Sequence, residues 1–152
     1  MTVLEGVNAH YPFALGPSAL GPFALGMQAG IATIDVSFIS ITKVLPNVLE
    51  HLSAGAPIVA LVKPQFEALR GEVPRGGVIK EPRTHARVLG RVIKWAVDNR
   101  LRVRGLTASP ILGDAGNREF FLLLKAQDEL RDGWETLLTP KMSVDRMPHL
   151  LS

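Results

Sequence analysis

Thr33-Ile34-Asp35-Val36-Ser37-Phe38-Ile39-Ser40 and, one βα unit later, Leu61-Val62-Lys63-Pro64-Gln65-Phe66-Glu67 decide how this chain folds. Each opens on an apolar run of strand character and delivers one ionisable side chain at its carboxyl end, Asp35 in the first and Lys63 in the second. Ile31 to Val36 is nearly continuous in apolar residues, and so is Pro57 to Val62, as expected of strands covered on both faces. In open α/β sheets the carboxyl ends of the strands are where ligands bind. A third segment, Ser109-Pro110-Ile111-Leu112-Gly113 followed by Gly116-Asn117-Arg118-Glu119-Phe120, brings Glu119 to the start of another apolar strand.

Between these motifs the periodicity changes. After Ser40, a helix cap, Ile41, Val44, Leu45, Val48, Leu49 and Leu52 fall on one helical face, with Pro46 marking a kink or the true helix start. From Lys63 to Arg83 runs a loop of some twenty residues, rich in glycine and basic side chains; connections of that length are often functional. Thr84 is read as the cap of a second helix with Val88, Leu89, Val92, Ile93 and Ala96 inward and Arg87, Arg91, Lys94 and Asp98 outward. Leu101–Leu106 and Glu119–Leu124 read as strands. The connection between them is too short for a crossover helix, so the pair is expected to be antiparallel. Thr2–Leu4 reads as the end of a short strand. Residues 12–26 repeat a five-residue unit three times, Pro12-Phe13-Ala14-Leu15-Gly16 being the first, and form an irregular connector.

Composition narrows the chemistry. With 152 residues and 47% hydrophobic content the chain can bury one core. There is no cysteine, which excludes disulfides and thiolate chemistry and fits a reducing cytoplasm. Four scattered histidines offer no metal-ligand spacing. Tyr11 to Ile34 carries no formal charge, but Pro12, Pro17 and Pro22 break any spanning helix, so no membrane partner is expected. The net charge of +3 is unevenly spread: Lys63 to Arg104 holds eleven Lys or Arg against four Asp or Glu, whereas 126–152 is slightly acidic. Such a basic stretch suits phosphate backbones or serves as a solvated face.

In this order the three motifs resemble the TlyA-type family, the hemolysin A proteins, which are FtsJ-like rRNA 2′-O-methyltransferases. The resemblance implies an α/β fold, a partial Rossmann-like methyltransferase sheet in which the first two strands and the glycine-rich donor loop are missing. It implies S-adenosylmethionine as cofactor, rRNA or a ribosomal subunit as partner, and cytidine 2′-O-methylation as the reaction. Of the family's Lys-Asp-Lys-Glu tetrad it implies Asp35, Lys63 and Glu119 as catalytic residues, the first Lys having no counterpart. Glu5-Gly6-Val7-Asn8-Ala9-His10 is similar to the stretch beside the donor's adenine, which makes Glu5 and Asn8 cofactor-binding candidates. Arg70, Arg75, Lys80, Arg83, Arg87 and Arg91 are the RNA-binding candidates. Residues 1–125 are thus expected to be the C-terminal part of the methyltransferase domain and 126–152 an acidic tail outside it. A donor site so reduced is not expected to work alone; the alternative is a non-catalytic RNA-binding or interaction fragment. With the first strands missing, the strand that ends at Asp35 becomes an exposed sheet edge, which invites self-association or docking of the apolar repeat across that edge.

Overall fold

The computed structural model describes residues 3, 5–13, 15 and 28–126. Most of the five-residue repeat and the tail from 127 lie outside the described residues, as do Thr2 and Leu4; Val3 between them is not in a strand. Four strands and three helices make a mixed α/β layer: β1 (Ala32–Ile34), α1 (Leu45–Leu49), β2 (Pro57–Val62), α2 (Pro64–Glu67), α3 (Pro82–Asp98), β3 (Leu101–Leu112) and β4 (Arg118–Ala126). The sheet order is β1-β2-β4-β3. β1 lies parallel to β2, with Ile34 beside Ala60, and β4 inserts antiparallel between β2 and β3. The antiparallel hairpin and the marginal position of β1 are as the sequence led one to expect.

The β2 pattern shows why the sheet has one well-covered face. Ile58, Ala60 and Val62 are fully buried and alternate with half-buried Val59 and Leu61. Across the β4 ladder Leu122 and Leu124 continue the buried row, whereas Phe121 and Leu123 remain 37% exposed. α3 supplies Val88, Leu89, Val92 and Ala96 to the covered face, and Ile41, Val44 and Leu45 complete the core.

Two local expectations are corrected, and the break expected at Pro46 is seen. The residue flanking α3 is Glu81, because Pro82, whose ring suits a first helical position, starts the helix two residues before Thr84. Thr84 is instead buried in the first turn, where its hydroxyl donates to Glu81. β3 runs to Leu112 rather than stopping at Leu106, with irregular register between Val103 and Gly105 and between Ala108 and Leu112. The helix after Ser40 is split into a 3-10 turn, Ile41–Lys43, and α1, where Pro46 occupies the first turn.

Candidate functional site

Asp35 and Lys63 leave adjacent parallel strands at the same rim. The Lys63 ammonium pairs with Asp35 Oδ1 at 2.7 Å and donates to Ser37 Oγ at 3.1 Å. Its side chain is 15% exposed, that of Asp35 67%. An ammonium has three hydrogens to donate; these contacts use two and leave one for a further oxygen. Glu119 is buried, 8% exposed. The β2–β4 ladder ends with Val62 beside Phe120, and its continuation sets Glu119 across from Lys63. No ion pair within 4.0 Å joins these two among the described residues. The Glu119 carboxylate lies instead against Gly113, where an added Cβ would overlap it and force the carboxylate to shift.

Beside the ion pair is a cavity of about 490 Å³ lined by Asn8, Val36, Ser37, Ile39 and Val44 among others. The chain enters it through Gly6–His10, anchored by Asn47, whose side-chain amide donates to the Ala9 carbonyl at 3.0 Å. Asn8 lines this space while its side-chain oxygen Oδ1 accepts the His10 amide at 3.0 Å. Glu5 is exposed and is not among the lining residues. A largely apolar slot with the Asn8 amide, the His10 imidazole and the Ser37 hydroxyl in its lining suits the flat heterocycle of a nucleoside; the lining offers no carboxylate for a ribose diol.

The basic loop is more ordered than its composition suggests. Asn117, 3% exposed, accepts the Ile79 amide at 3.1 Å and donates to the Gly77 carbonyl at 3.1 Å, tying the loop to the turn that carries Glu119. Glu72 accepts the Leu69 amide at 2.8 Å and a two-pronged contact from Arg91, with Arg87 at 3.9 Å. These contacts hold the Glu72 carboxyl below its usual range, the hydrogen bond from Arg91 being the main cause. Of the six RNA candidates, Arg70, Arg75, Lys80 and Arg83 are exposed; Arg91 is occupied by Glu72, and Arg87 is 62% exposed at its margin.

Two site residues escaped the sequence reading. Phe38 is 91% exposed with φ of 62°, a left-handed conformation uncommon for a bulky residue, and its ring lies 4.9 Å from that of Phe66. Glu67 reaches back to the first motif, accepting from Ser40 Oγ at 2.5 Å and from the Ile41 amide at 2.8 Å. No spacing rule marks contacts between residues 26 and 27 positions apart; only the recurrence of both segments within recognisable motifs hinted at it.

A family model for FtsJ-like methyltransferases matches residues 3–126, a span that holds the ion pair, the cavity and Glu119. The chain belongs to the FtsJ-like methyltransferase family. This FtsJ-like chain is 39% identical over 131 residues to the 16S/23S rRNA (cytidine-2′-O)-methyltransferase TlyA of Mycobacterium tuberculosis, a match covering 85% of the chain and 45% of TlyA. It is 45% identical over 104 residues to YqxC of Bacillus subtilis (strain 168), covering 68% of the chain and 37% of YqxC. A solved structure of a hemolysin candidate from Streptococcus thermophilus superimposes with a TM-score of 0.68 at 37% identity, covering 86% of this chain and 46% of that one. The FtsJ-like chain therefore spans less than half the length of the curated relatives it matches. Among its described residues no helix is long and apolar enough to cross a membrane, and no cluster of His, Asp and Glu could hold a metal.

Proposed function

We propose that this chain contributes the Asp-Lys-Glu side of an S-adenosylmethionine-dependent rRNA (cytidine-2′-O)-methyltransferase site, acting on ribosomal RNA or a ribosomal subunit in the cytoplasm. The observation that carries the reading is the Lys63 ammonium, held by Asp35 and Ser37 with one hydrogen unspent, beside a nucleoside-sized cavity. The donor supplies an electrophilic methyl group on a sulfonium. As the ribose oxygen bonds to the methyl carbon, the carbon–sulfur bond would break with its electron pair left on a neutral thioether, and the hydroxyl proton would pass to water. Lys63 donates to that oxygen as it gains negative charge, and Asp35 keeps the ammonium aimed; one such donor is worth about 10²- to 10³-fold in rate. Glu119 stands at the same rim, across from Lys63. Asn8 and the apolar walls of the cavity hold the adenine end of the donor, and Glu5, exposed outside the lining, is the weaker candidate for a donor contact. The rest of the donor site comes from polypeptide beyond the matched region. Phe38 offers its exposed face to a base turned out of the RNA, and Arg70, Arg75, Lys80 and Arg83 meet phosphates, with Arg87 and Arg91 at the margin.

Transfer of tritiated methyl from S-adenosylmethionine to rRNA tests this, with the chain alone and supplemented by the part of YqxC outside the match. Transfer that needs the supplement and is abolished by Lys63→Ala is the expected result; transfer indifferent to that substitution refutes the role of Lys63.

A second reading, an RNA-binding or interaction fragment without catalysis, is favoured by the exposed cations of the latched loop. It requires salt-sensitive RNA affinity that survives Lys63→Ala, with no donor binding by calorimetry in the presence or absence of rRNA. In both readings the outer margin of β1, unpaired within this sheet, is proposed to take a strand from a second copy. Light scattering that shows only monomer across a wide concentration range contradicts this.

A further inference from the structure

α2 is a single turn of four residues, too short to hold its own orientation, yet it begins immediately after Lys63. Something outside it must fix its direction. Four contacts join the Lys63–Glu67 segment to the Asp35–Thr42 segment: the Lys63–Asp35 pair, the Lys63–Ser37 bond, the Phe38–Phe66 ring contact and the Glu67 carboxylate on Ser40 and Ile41. The ion pair involves a largely exposed aspartate, where water and salt weaken it. Phe38 is almost wholly exposed. The Glu67 contact is the most sheltered of the four and engages both carboxylate oxygens.

The hydrogens of this contact can be assigned. Ser40 Oγ has one hydrogen, given to Glu67 Oε2. It accepts from the Thr42 amide at 3.2 Å, so in its 2.7 Å contact with Thr42 Oγ1 the threonine must be the donor. Glu67 Oε1 takes the Ile41 amide, the first donor of the 3-10 turn, which otherwise has no partner within that turn. The Ser40 hydroxyl and the Ile41 amide thus point at the carboxylate, and both Thr42 donors support the Ser40 oxygen behind it. Burial pushes the Glu67 carboxyl up from its ordinary range, and the bonds from Ser40 and Ile41 oppose that push.

We propose that Glu67 is the positioning residue for Lys63, clamping the turn after β2 to the loop after β1 so that Lys63, Ser37 and Asp35 meet. Its purpose for methyl transfer rests on the function proposed above; the geometric claim does not, and its test needs neither donor nor RNA. A glutamine at this position can accept from Ile41 with its oxygen, but its NH₂ group confronts a serine oxygen that already accepts twice, so half of the clamp is kept. Alanine removes all of it.

The experiment is heteronuclear NMR on the full chain, labelled with ¹⁵N and ¹³C, as wild type, Glu67→Ala and Glu67→Gln. The readouts are the Lys63 side-chain ammonium resonance, the nuclear Overhauser contacts between Phe38 and Phe66, amide exchange at Ile41, and amide exchange at Leu122 and Leu124 as a control on the core. In Glu67→Ala, Ile41 exchange is expected to rise about tenfold or more. The Phe38–Phe66 contacts should disappear and Lys63 should take the shift of a free lysine, while Leu122 and Leu124 stay protected. Glu67→Gln should restore Ile41 protection and part of the Lys63 signal. If alanine unfolds the chain, the glutamine variant decides: a displaced Lys63 signal over a protected core supports the proposal. An unchanged Lys63 resonance and intact ring contacts in a folded variant overturn it. Loss of core protection in both variants also overturns it, since Glu67 would then serve general stability and not the placement of Lys63.

Discussion

Replacing Asn117 with alanine isolates one device in this fold, the pin between the basic loop and the Glu119 turn. The side chain makes two hydrogen bonds of 3.1 Å, and the cost of losing each follows from what water can reach. Ile79 is 3% exposed, so its amide has no substitute partner once the Asn117 oxygen is gone; an orphaned buried donor costs about 1–3 kcal/mol. Gly77 is only half-buried, and water takes over at its carbonyl, which limits that loss to about 0.5–1 kcal/mol. The sum, about 1.5–4 kcal/mol, corresponds to a fall in Tm of roughly 5–15 °C for a domain of this size. Urea unfolding should show a lower midpoint with an unchanged slope. Asn117→Asp is the informative companion: it keeps the acceptor for Ile79 but turns a second acceptor towards the Gly77 carbonyl, and should cost at least as much as alanine. RNA affinity should fall in both, because the chain around Lys80 and Arg83 loosens. A cost below about 0.5 kcal/mol for alanine, the range of an ordinary surface change, would refute the reasoning.

Other outcomes follow from the same geometry. Leu122→Ala removes a fully buried side chain from the centre of β4 and should cost about 2–5 kcal/mol in the same urea assay. Lys63→Ala should change stability by no more than about 1 kcal/mol, because its partner Asp35 is mostly exposed, while abolishing any methyl transfer. The two perturbed carboxylates should act in opposite directions with pH. Glu67 is raised above 4.5 by burial, so the folded chain holds its proton more tightly than the unfolded one; that contribution is complete below 4.5 and is lost as pH rises through the raised value. Glu67→Gln should remove this decline, seen by following urea midpoints from pH 4.5 upward. Glu72 is lowered, chiefly by Arg91, so its contribution is present above 4.5 and is lost as pH falls through the lowered value; Glu72→Gln should lose stability only on the neutral side.

What the linear order of residues determined was local. Apolar runs bounded by turn residues located β2 without error, Pro46 forecast the split after Ser40, and the short link before Glu119 required an antiparallel hairpin. The motif order also placed Asp35 and Lys63 at one rim, because side chains at the ends of neighbouring parallel strands are brought close by the sheet itself. Tertiary structure alone decided what depends on contacts between distant positions. It set Glu67 on Ser40, pinned the basic loop through Asn117, and turned Arg91 from a free cation into the partner of Glu72. It also placed Glu119 against Gly113 and not within ion-pair distance of Lys63. Periodicity reports which face a residue belongs to; which polar atom meets which is settled only when segments dozens of residues apart are packed and their buried donors must each find an acceptor.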